Sequence, residues 1–480
     1  MRSKNQPLPS LYKITLITCL CLCYSLSYTQ NAFENGAYYV KLAAGKEYKK
    51  NRLHQWFWGT NNRQLWTTPV RVKIVSLDTL YGGLKPYKRG GGNESKTLRL
   101  RSEEGKEYVL RSVNKTRNAV IPGILRGSFF AGFIQDGVSQ SHPYASLAIA
   151  TMCSVASVYH PEPILVYVPS QPALHKYNDH YGNNLYLIEE RPDGNWSTTN
   201  HMGNFVEFES TLKLLKKMKE DNAWSIDQAA YIKSRLFDVL LADWDRQQDN
   251  WRWGIHQTGS KHFIPFSRDR DQALFSTNGK MTRLLMPLMH VEFMQDLSSR
   301  KQNTALLTSQ DRELDRIFSN EMEKEDWVQA AGFLKNSLTD SVIEASVKKL
   351  PAEIYALSGA TLIRTLQYRR NQLDRYALDF YTVLAKKVDV NGSAKDERFE
   401  VKKLGEDKVL INLFRINNGS TENDPYYSRV FVLSETKRVN LYGFGGKDVF
   451  VIDENIKEIQ IRFHKGENKN PLFKRMIDLR

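Results

Sequence analysis

The sequence predicts an α+β chain: a mixed first half, a helical stretch and a small closing β domain. Three observations carry that reading. Short apolar runs that turn at Gly and Pro fill the first half; helical periodicity dominates from about 280 to 390; strand-length runs return from 397 to 465. The 480 residues, 41% hydrophobic and 25% charged, suffice for at least one large core, which excludes a disordered or collagen-like chain, and the length suits two to four domains.

Residues 1–29 read as a signal peptide. Arg2, Lys4 and Lys13 precede the apolar run Ile14 to Tyr24, and the small-residue stretch Ser25 to Thr29 follows. That run is about 11 residues, short of the roughly 20 that cross a bilayer as a helix. Three of the four cysteines (Cys19, Cys21, Cys23) lie inside it, so Cys153 stands alone in the mature chain and no internal disulfide is expected. Cys21 and Leu22 fit a lipid-attachment signal at Cys23 poorly. An exported protein, periplasmic or associated with the outer membrane, is the expectation. Loss of the leader removes three of the charges that make the chain +15, and the strongly basic balance that remains suits phosphate-rich or anionic partners. The Lys and Arg are dispersed and form no finger, helix-turn-helix or aromatic-basic module, so no nucleic-acid partner is expected.

An N-terminal extension over 30–80, rich in aromatic and basic residues (His54, Trp56, Trp58, Trp66), ends in the strand Val70 to Val75. Thr97 to Leu100 and Tyr108 to Val113 flank Glu103-Glu104-Gly105-Lys106 as a hairpin. Residues 120–160 predict two short helices. Pro161 to Val168 and Leu185 to Glu189 predict strands, the second stopped by Pro192 and Gly194. Ile226 to Ala242 is the strongest helix: Ser225 with Gln228 reads as a capping box, and Ile232, Leu236, Val239 and Leu240 share a face. It runs into Asp243-Trp244-Asp245-Arg246-Gln247-Gln248-Asp249-Asn250, and the strand His262 to Phe266 leads to Ser267-Arg268-Asp269-Arg270-Asp271. Helices including Trp327 to Leu334 and Tyr368 to Lys386 follow. Asn391-Gly392-Ser393-Ala394 marks the passage to the β-rich segment 397–480.

The chemistry gathers in two acidic clusters on either side of a strand. Asp245 and Asn250 have Asp-x-x-x-x-Asn spacing in a loop after a helix, where the carboxylate can accept a proton from an incoming hydroxyl and the amide oxygen can bind a metal. Asp269 and Asp271 follow an apolar strand and can hold the same metal against phosphate oxygens, since hard divalent cations take oxygen ligands. Upstream, Gly82-Gly83 and Gly90-Gly91-Gly92 flank Lys85, Lys88 and Arg89. Successive glycines let backbone N–H groups converge on an anion. Solvated loop charges and a plain flexible loop are the bland readings of these same residues.

From Gly82 to Ser276 this order resembles the protein-kinase-like superfamily, especially its atypical branches: CotH-type spore-coat kinases, HipA-type kinases and lipid kinases. Val109-Leu110-Arg111 resembles the strand that carries the nucleotide-phosphate lysine, with Arg111 in the lysine's place. Leu187-Ile188-Glu189-Glu190 sits where the hinge beside the adenine falls. Asp245-Arg246 with Asn250 resembles the catalytic loop, and Pro265 to Asp271 the segment that delivers an Asp-x-Asp to the metals. The resemblance implies a two-lobed kinase-like domain over 81–390. In it Asp245 orients the acceptor, and Asn250 and Asp269, with Asp271 in support, hold Mg or Mn. Gly90, Gly91, Gly92, Arg111 and Lys115 meet the phosphates of ATP or another nucleotide, and Glu189 and Arg191 border the base. The chain also resembles a group of uncharacterised exported proteins of Bacteroidetes-type bacteria, along Tyr81 to Leu100, Leu187 to Trp196, Leu236 to Gly254 and Phe263 to Phe275.

Two departures from the kinase pattern stand out. Arg111 cannot lose its proton and presents a rigid fork, which leaves Lys115 as the alternative and Glu103 or Asp136 as candidate acidic partners. Gln247 stands where His is common. An inactive pseudokinase acting as an envelope binding or scaffold protein is therefore the rival reading, with an envelope protein, a small-molecule phosphate acceptor or the outer-membrane surface as partner. A metal-dependent phosphoesterase lacks its usual His-rich ligand set. The histidines have no zinc spacing, and no Gly-x-Ser-x-Gly elbow is present. Trp244, Trp251 and Trp253 read as packing, and Gly443 to Phe450 as a tight turn into a strand.

Overall fold

Alternation along the two arms of the predicted hairpin dictates a sheet with one buried face. In the computed structural model, which describes residues 32–34, 37–90, 95–115, 129–300, 302–454, 456 and 459–466, that hairpin is β5 (Ser95–Ser102) against β6 (Glu107–Lys115), turning at Gly105 with φ +81°. It sits in an eight-stranded sheet with β1 (Ala32–Glu34), β2 (Ala37–Leu42), β3 (Val70–Ile74), β4 (Leu84–Gly90), β7 (Ile164–Val168) and β8 (Asn184–Glu190), in the order β1-β2-β3-β7-β8-β6-β5-β4. All neighbours are antiparallel except β3 and β7. The 30–80 segment thus adds strands to this sheet rather than standing apart from it. Leu98, Leu100, Leu110, Tyr186, Ile188 and Trp196 form a core on one face, while Val40, Val70 and Val113 join the larger helical core.

Helices α1 (Phe129–Asp136) and α2 (Ala145–Val155) match the two expected short ones. A second sheet, in the order β10-β12-β11-β9, joins β9 (Glu207–Ser210), β10 (Ser225–Ile226), β11 (Trp251–Ile255) and β12 (His262–Ser267). The strongest predicted helix is α3 (Gln228–Leu240), and its start differs from expectation: Asp227 is the N-cap, accepting from the Ala230 N–H at 2.8 Å. Ser225 instead belongs to β10, with its N–H on the Lys261 carbonyl. The Trp251 to Gly254 run, read only as a continuation of the acidic loop, is strand β11. Trp251 and Trp253 stack against Tyr231 and are fully buried, as packing residues.

From 280 onward helices dominate, with α4 (Lys324–Ser337), α6 (Ala352–Asn371) and α7 (Leu373–Ala385) packed on α3 around Trp327, Leu334 and Phe380, and α5 (Asp340–Val347) packed on α2. The predicted helix over 368–386 is broken at Gln372. The β-rich unit opens earlier than the Asn391 boundary, at β13 (Lys387–Asn391). It comprises a parallel three-stranded sheet and a five-stranded sheet enclosing a separate core of Phe399, Val401, Ile411 and Phe431. Residues 444–448 are the turn expected there, with Gly446 at φ +73°. Among the described residues no helix is long and apolar enough to cross a membrane. Residues 1–29, expected to be a signal peptide, lie outside those residues.

Candidate functional site

The end of α3 aims the first acidic loop. Its carbonyls close in a Schellman pattern: the Asp243 N–H bonds the Asp238 carbonyl at 3.0 Å and the Ala242 N–H bonds the Val239 carbonyl at 3.1 Å, with Ala242 itself left-handed at φ +53°. The chain then leaves the helix abruptly and runs as the loop 243–250 between α3 and β11.

Below the loop lies a buried ionic network. Asp238, fully buried, pairs with Arg246 at 3.1 Å, Arg235 at 3.1 Å and Arg270. Arg246 also donates to Asp243 at 2.6 Å and to the Arg268 carbonyl at 2.6 Å. The Arg268 N–H in turn donates to the Asn250 carbonyl at 3.0 Å. These bonds lock the Asp245–Asn250 loop to the Ser267–Asp271 loop, so the two acidic clusters, separate in sequence, become one surface. Asp269 holds φ +58°, a left-handed conformation uncommon outside glycine and one that concentrates at functional loops.

Across from the loops stands β6. Arg111 donates to Glu189 on β8 at 2.6 Å and to Asp269 at 3.1 Å, and Lys115 pairs with Asp271. Arg111, Lys115, Asp269 and Asp271 are thus brought together, as ion pairs with one another. Burial works against both ends of the first pair: it lowers Arg111, but Asp269 and Glu189 outweigh it and raise the guanidinium. Burial likewise raises Asp269, but Arg111, Lys115 and Arg268 outweigh it and hold the carboxyl at about 2. Asp245 receives a hydrogen bond from Gln247 at 2.9 Å, and burial together with the negative charges of Asp271 and Asp269 pushes it up to about 6. Asn250 donates its NH2 to the Asp245 carbonyl at 2.7 Å.

Several expected residues stand elsewhere. Glu103 pairs with Lys85 at the surface, and Asp136 is held by Arg63 at 2.6 Å and by His54, so neither is the partner of Arg111; Glu189 is. Glu189, expected beside a base, spends its carboxylate on Arg111. Arg191 is committed to Glu107 and Asp193. Gly90 ends β4 with Arg99 against its Cα face, where a Cβ would lie 3.1 Å from the guanidine; Gly91 and Gly92 lie outside the described residues. Sequence reasoning missed Arg268. Burial, then Arg111 and Arg252, lower it to about 9, so its charge is held against repulsion in a cleft that an anion would relieve. Its place immediately before Asp269 was the available signal.

The oxygen donors Asp269, Asp271 and Asn250 suit a hard divalent cation. Among the described residues no cluster of three or more His, Cys, Asp and Glu is arranged as a metal site; Asp269 and Asp271 face Arg111 and Lys115 instead. A small cavity of about 30 Å³ behind them is bounded by Glu189, Arg268, Cys153 and His160. Cys153 is a buried free thiol.

No family model matches the chain, and no curated protein matches it. Among solved structures, the proinflammatory kinase CtkA of Helicobacter pylori aligns at 12% identity with a TM-score of 0.36, covering 62% of this chain and 95% of that one. The amicoumacin kinase hAmiN, in complex with AMP-PNP, Ca2+ and Ami, aligns at 12% identity with a TM-score of 0.15, covering 60% and 87%. Both are distant, partial matches to atypical kinase-like folds.

Proposed function

We propose that this is an exported atypical kinase-like protein, of the CotH or HipA kind, that binds ATP or another nucleotide with Mg or Mn and transfers a phosphoryl group to an acceptor. The observation that carries the proposal is the locking of the Asp245–Asn250 loop to the Asp269–Asp271 loop opposite Arg111 and Lys115. The nearness of Asn250, Asp269 and Asp271 to Arg111 and Lys115, with the raised Asp245 carboxyl beside them, supports a cleft that takes a metal and phosphates together. In this reading Asn250 and Asp269 hold the metal, with Asp271 in support. Arg111, Lys115 and Arg268 meet the phosphates, and Asp245 orients the acceptor hydroxyl. On binding, the Arg111–Asp269 and Lys115–Asp271 pairs would part, leaving Arg111 and Lys115 to meet phosphate oxygens and Asp269 and Asp271 to hold the metal. Acceleration would come from positioning and charge neutralisation.

Calorimetric titration of ATP with Mg or Mn into the leaderless protein, repeated for Asp269→Ala, tests this. Metal-dependent binding that the substitution removes is the expected result; a folded protein that binds ATP with neither metal refutes it. One observation favours a second reading, an inactive pseudokinase serving as an envelope scaffold. Arg111 is held at both ends, by Glu189 and Asp269, and a bridge too stable to exchange would keep the cleft closed to nucleotide.

A further inference from the structure

Outside the ionic cleft, two segments present an apolar surface that the fold leaves uncovered. The helix Arg52–Trp58 has no buried residue, and its Leu53, Trp56 and Phe57, spaced i, i+3, i+4 on one stripe, face outward. Against it packs the helix Lys280–Leu285, followed by Leu288 and Met289. Leu53 is 67% exposed, Leu284 64% and Leu288 75%. The two segments are clasped tightly: the Asn61 N–H donates to the Asn278 side chain at 3.1 Å, and the Asn278 N–H to the Asn61 side chain at 3.3 Å. A Cβ on Gly279 would lie 2.4 Å from the Trp58 carbonyl carbon. The patch is therefore a fixed surface, not two loose ends.

Its charge is one-sided. Residues 48–77 and 272–291 contain no Asp or Glu. Lys49, Arg52, Lys280 and Arg283 are exposed along them, and the Lys280 amine lies 4.0 Å from the Trp56 ring centroid. Beneath the patch is a cavity of about 320 Å³, within the range of ligand pockets, whose wall includes Trp58, Phe275, Leu285, Met286, Met289 and Met294. The polar groups at its edge already have partners: Asp136 is held by Arg63 and His54, and Gln140 donates to Thr277. The cavity thus offers space to an apolar chain and no unspent charge to a polar one.

We infer that this face docks on an anionic phospholipid bilayer, with the apolar stripe in the acyl boundary, the cations at the phosphates and one acyl chain in the cavity. Exposed aromatic and aliphatic side chains beside Lys and Arg, with carboxylates excluded, are what interfacial binding requires. The inference is independent of any nucleotide in the cleft.

The test is co-sedimentation of the leaderless protein with vesicles of phosphatidylcholine alone or with one-third phosphatidylglycerol, at low and high salt. Partition is expected on the anionic vesicles only, falling by about tenfold or more in Lys280→Glu/Arg283→Glu and in Leu284→Ser/Leu288→Ser. Lys408→Glu/Lys437→Glu, with the same charge change on the C-terminal β unit, should retain it, and thermal melts of the variants should stay close to that of the parent. Brominated acyl chains should quench the fluorescence of the parent more than that of Trp58→Phe. No partition, equal partition on neutral vesicles, or an unchanged Leu284→Ser/Leu288→Ser variant overturns the inference. So does concentration-dependent dimerisation lost in that same variant, which would assign the patch to a second copy of the chain.

Discussion

Asp245 carries opposed demands on one carboxyl. Its ordinary value is 3.8 and burial beside Asp271 and Asp269 raises it to about 6. A raised carboxylate stabilises the fold fully only below its unfolded value and loses that contribution as pH climbs through about 4 to 6, so at pH 7.5 the ionised group is a net cost. Asp245→Asn should therefore be more stable than the parent by about 1 kcal/mol at pH 7.5, after allowance for partial solvent screening, and nearly equal to it at pH 4. Thermal denaturation at the two values checks this. Phosphoryl transfer, if Asp245 orients the acceptor as an anion, should rise across the same window and vanish in the variant. Arg111 shows the converse. Arg111→Met leaves Glu189 buried without its partner and should cost about 2 kcal/mol or more in denaturant melts, while Arg111→Met/Glu189→Met should recover part of the loss. Asp245, Asn250 and Asp269 were legible in the sequence because loop chemistry shows in short spacings. Glu189 as the partner was not. Arg111 registers with Leu187 across β6 and β8, and Glu189 reaches it only as the diagonal neighbour two residues along the same face.

At the scale of elements, periodicity located α3, the hairpin β5–β6 and most of the closing strands, since each buries a face whose period is written locally. The helix start was misread for a tertiary reason. β10 pairs in parallel with β12, drawing Ser225 and Ile226 into a sheet, and the Asp227 N–H bonds the Phe263 carbonyl, which moves the cap two residues on. Asp227→Ala should accordingly cost about 1 kcal/mol, whereas Ser225→Ala should cost a few tenths; the reverse ranking in urea melts would restore the sequence-based cap. Asp238, two residues before the helix end, ties α3 to both acidic loops through Arg246 and Arg270. Asp238→Ala leaves buried Arg270 with only the Ser234 and Ser267 hydroxyls, and takes one carboxylate from Arg235 and Arg246, which keep Asp315 and Asp243; it should destabilise the protein by about 3 kcal/mol. Its position on a helix interior gave no sign of this, because the arginines that need it come from loops downstream.

Across the whole molecule, the β-rich unit has a core of its own, yet polar bonds tie it to the helical part, a cluster of them around one backbone carbonyl. The Asn320 oxygen accepts from Arg429 at 2.7 Å and from Tyr427 at 3.0 Å, and the Asn320 amide donates to the Asp389 carbonyl at 3.2 Å. Glu323 receives the Val430 N–H at 2.9 Å, and Tyr442 and Phe444 reach into the helical core. Arg429 is 4% exposed, so its bond is charge-assisted and sheltered from water, worth about 1.5–3 kcal/mol. If this polar hinge couples the two cores, the parent should melt in one calorimetric transition. Arg429→Met/Glu323→Ala should then split it, the β unit unfolding first while the ionic cleft keeps its own transition temperature within a few degrees. A variant that melts lower but still in one step would place the coupling in the apolar contacts of Tyr442 and Phe444 instead.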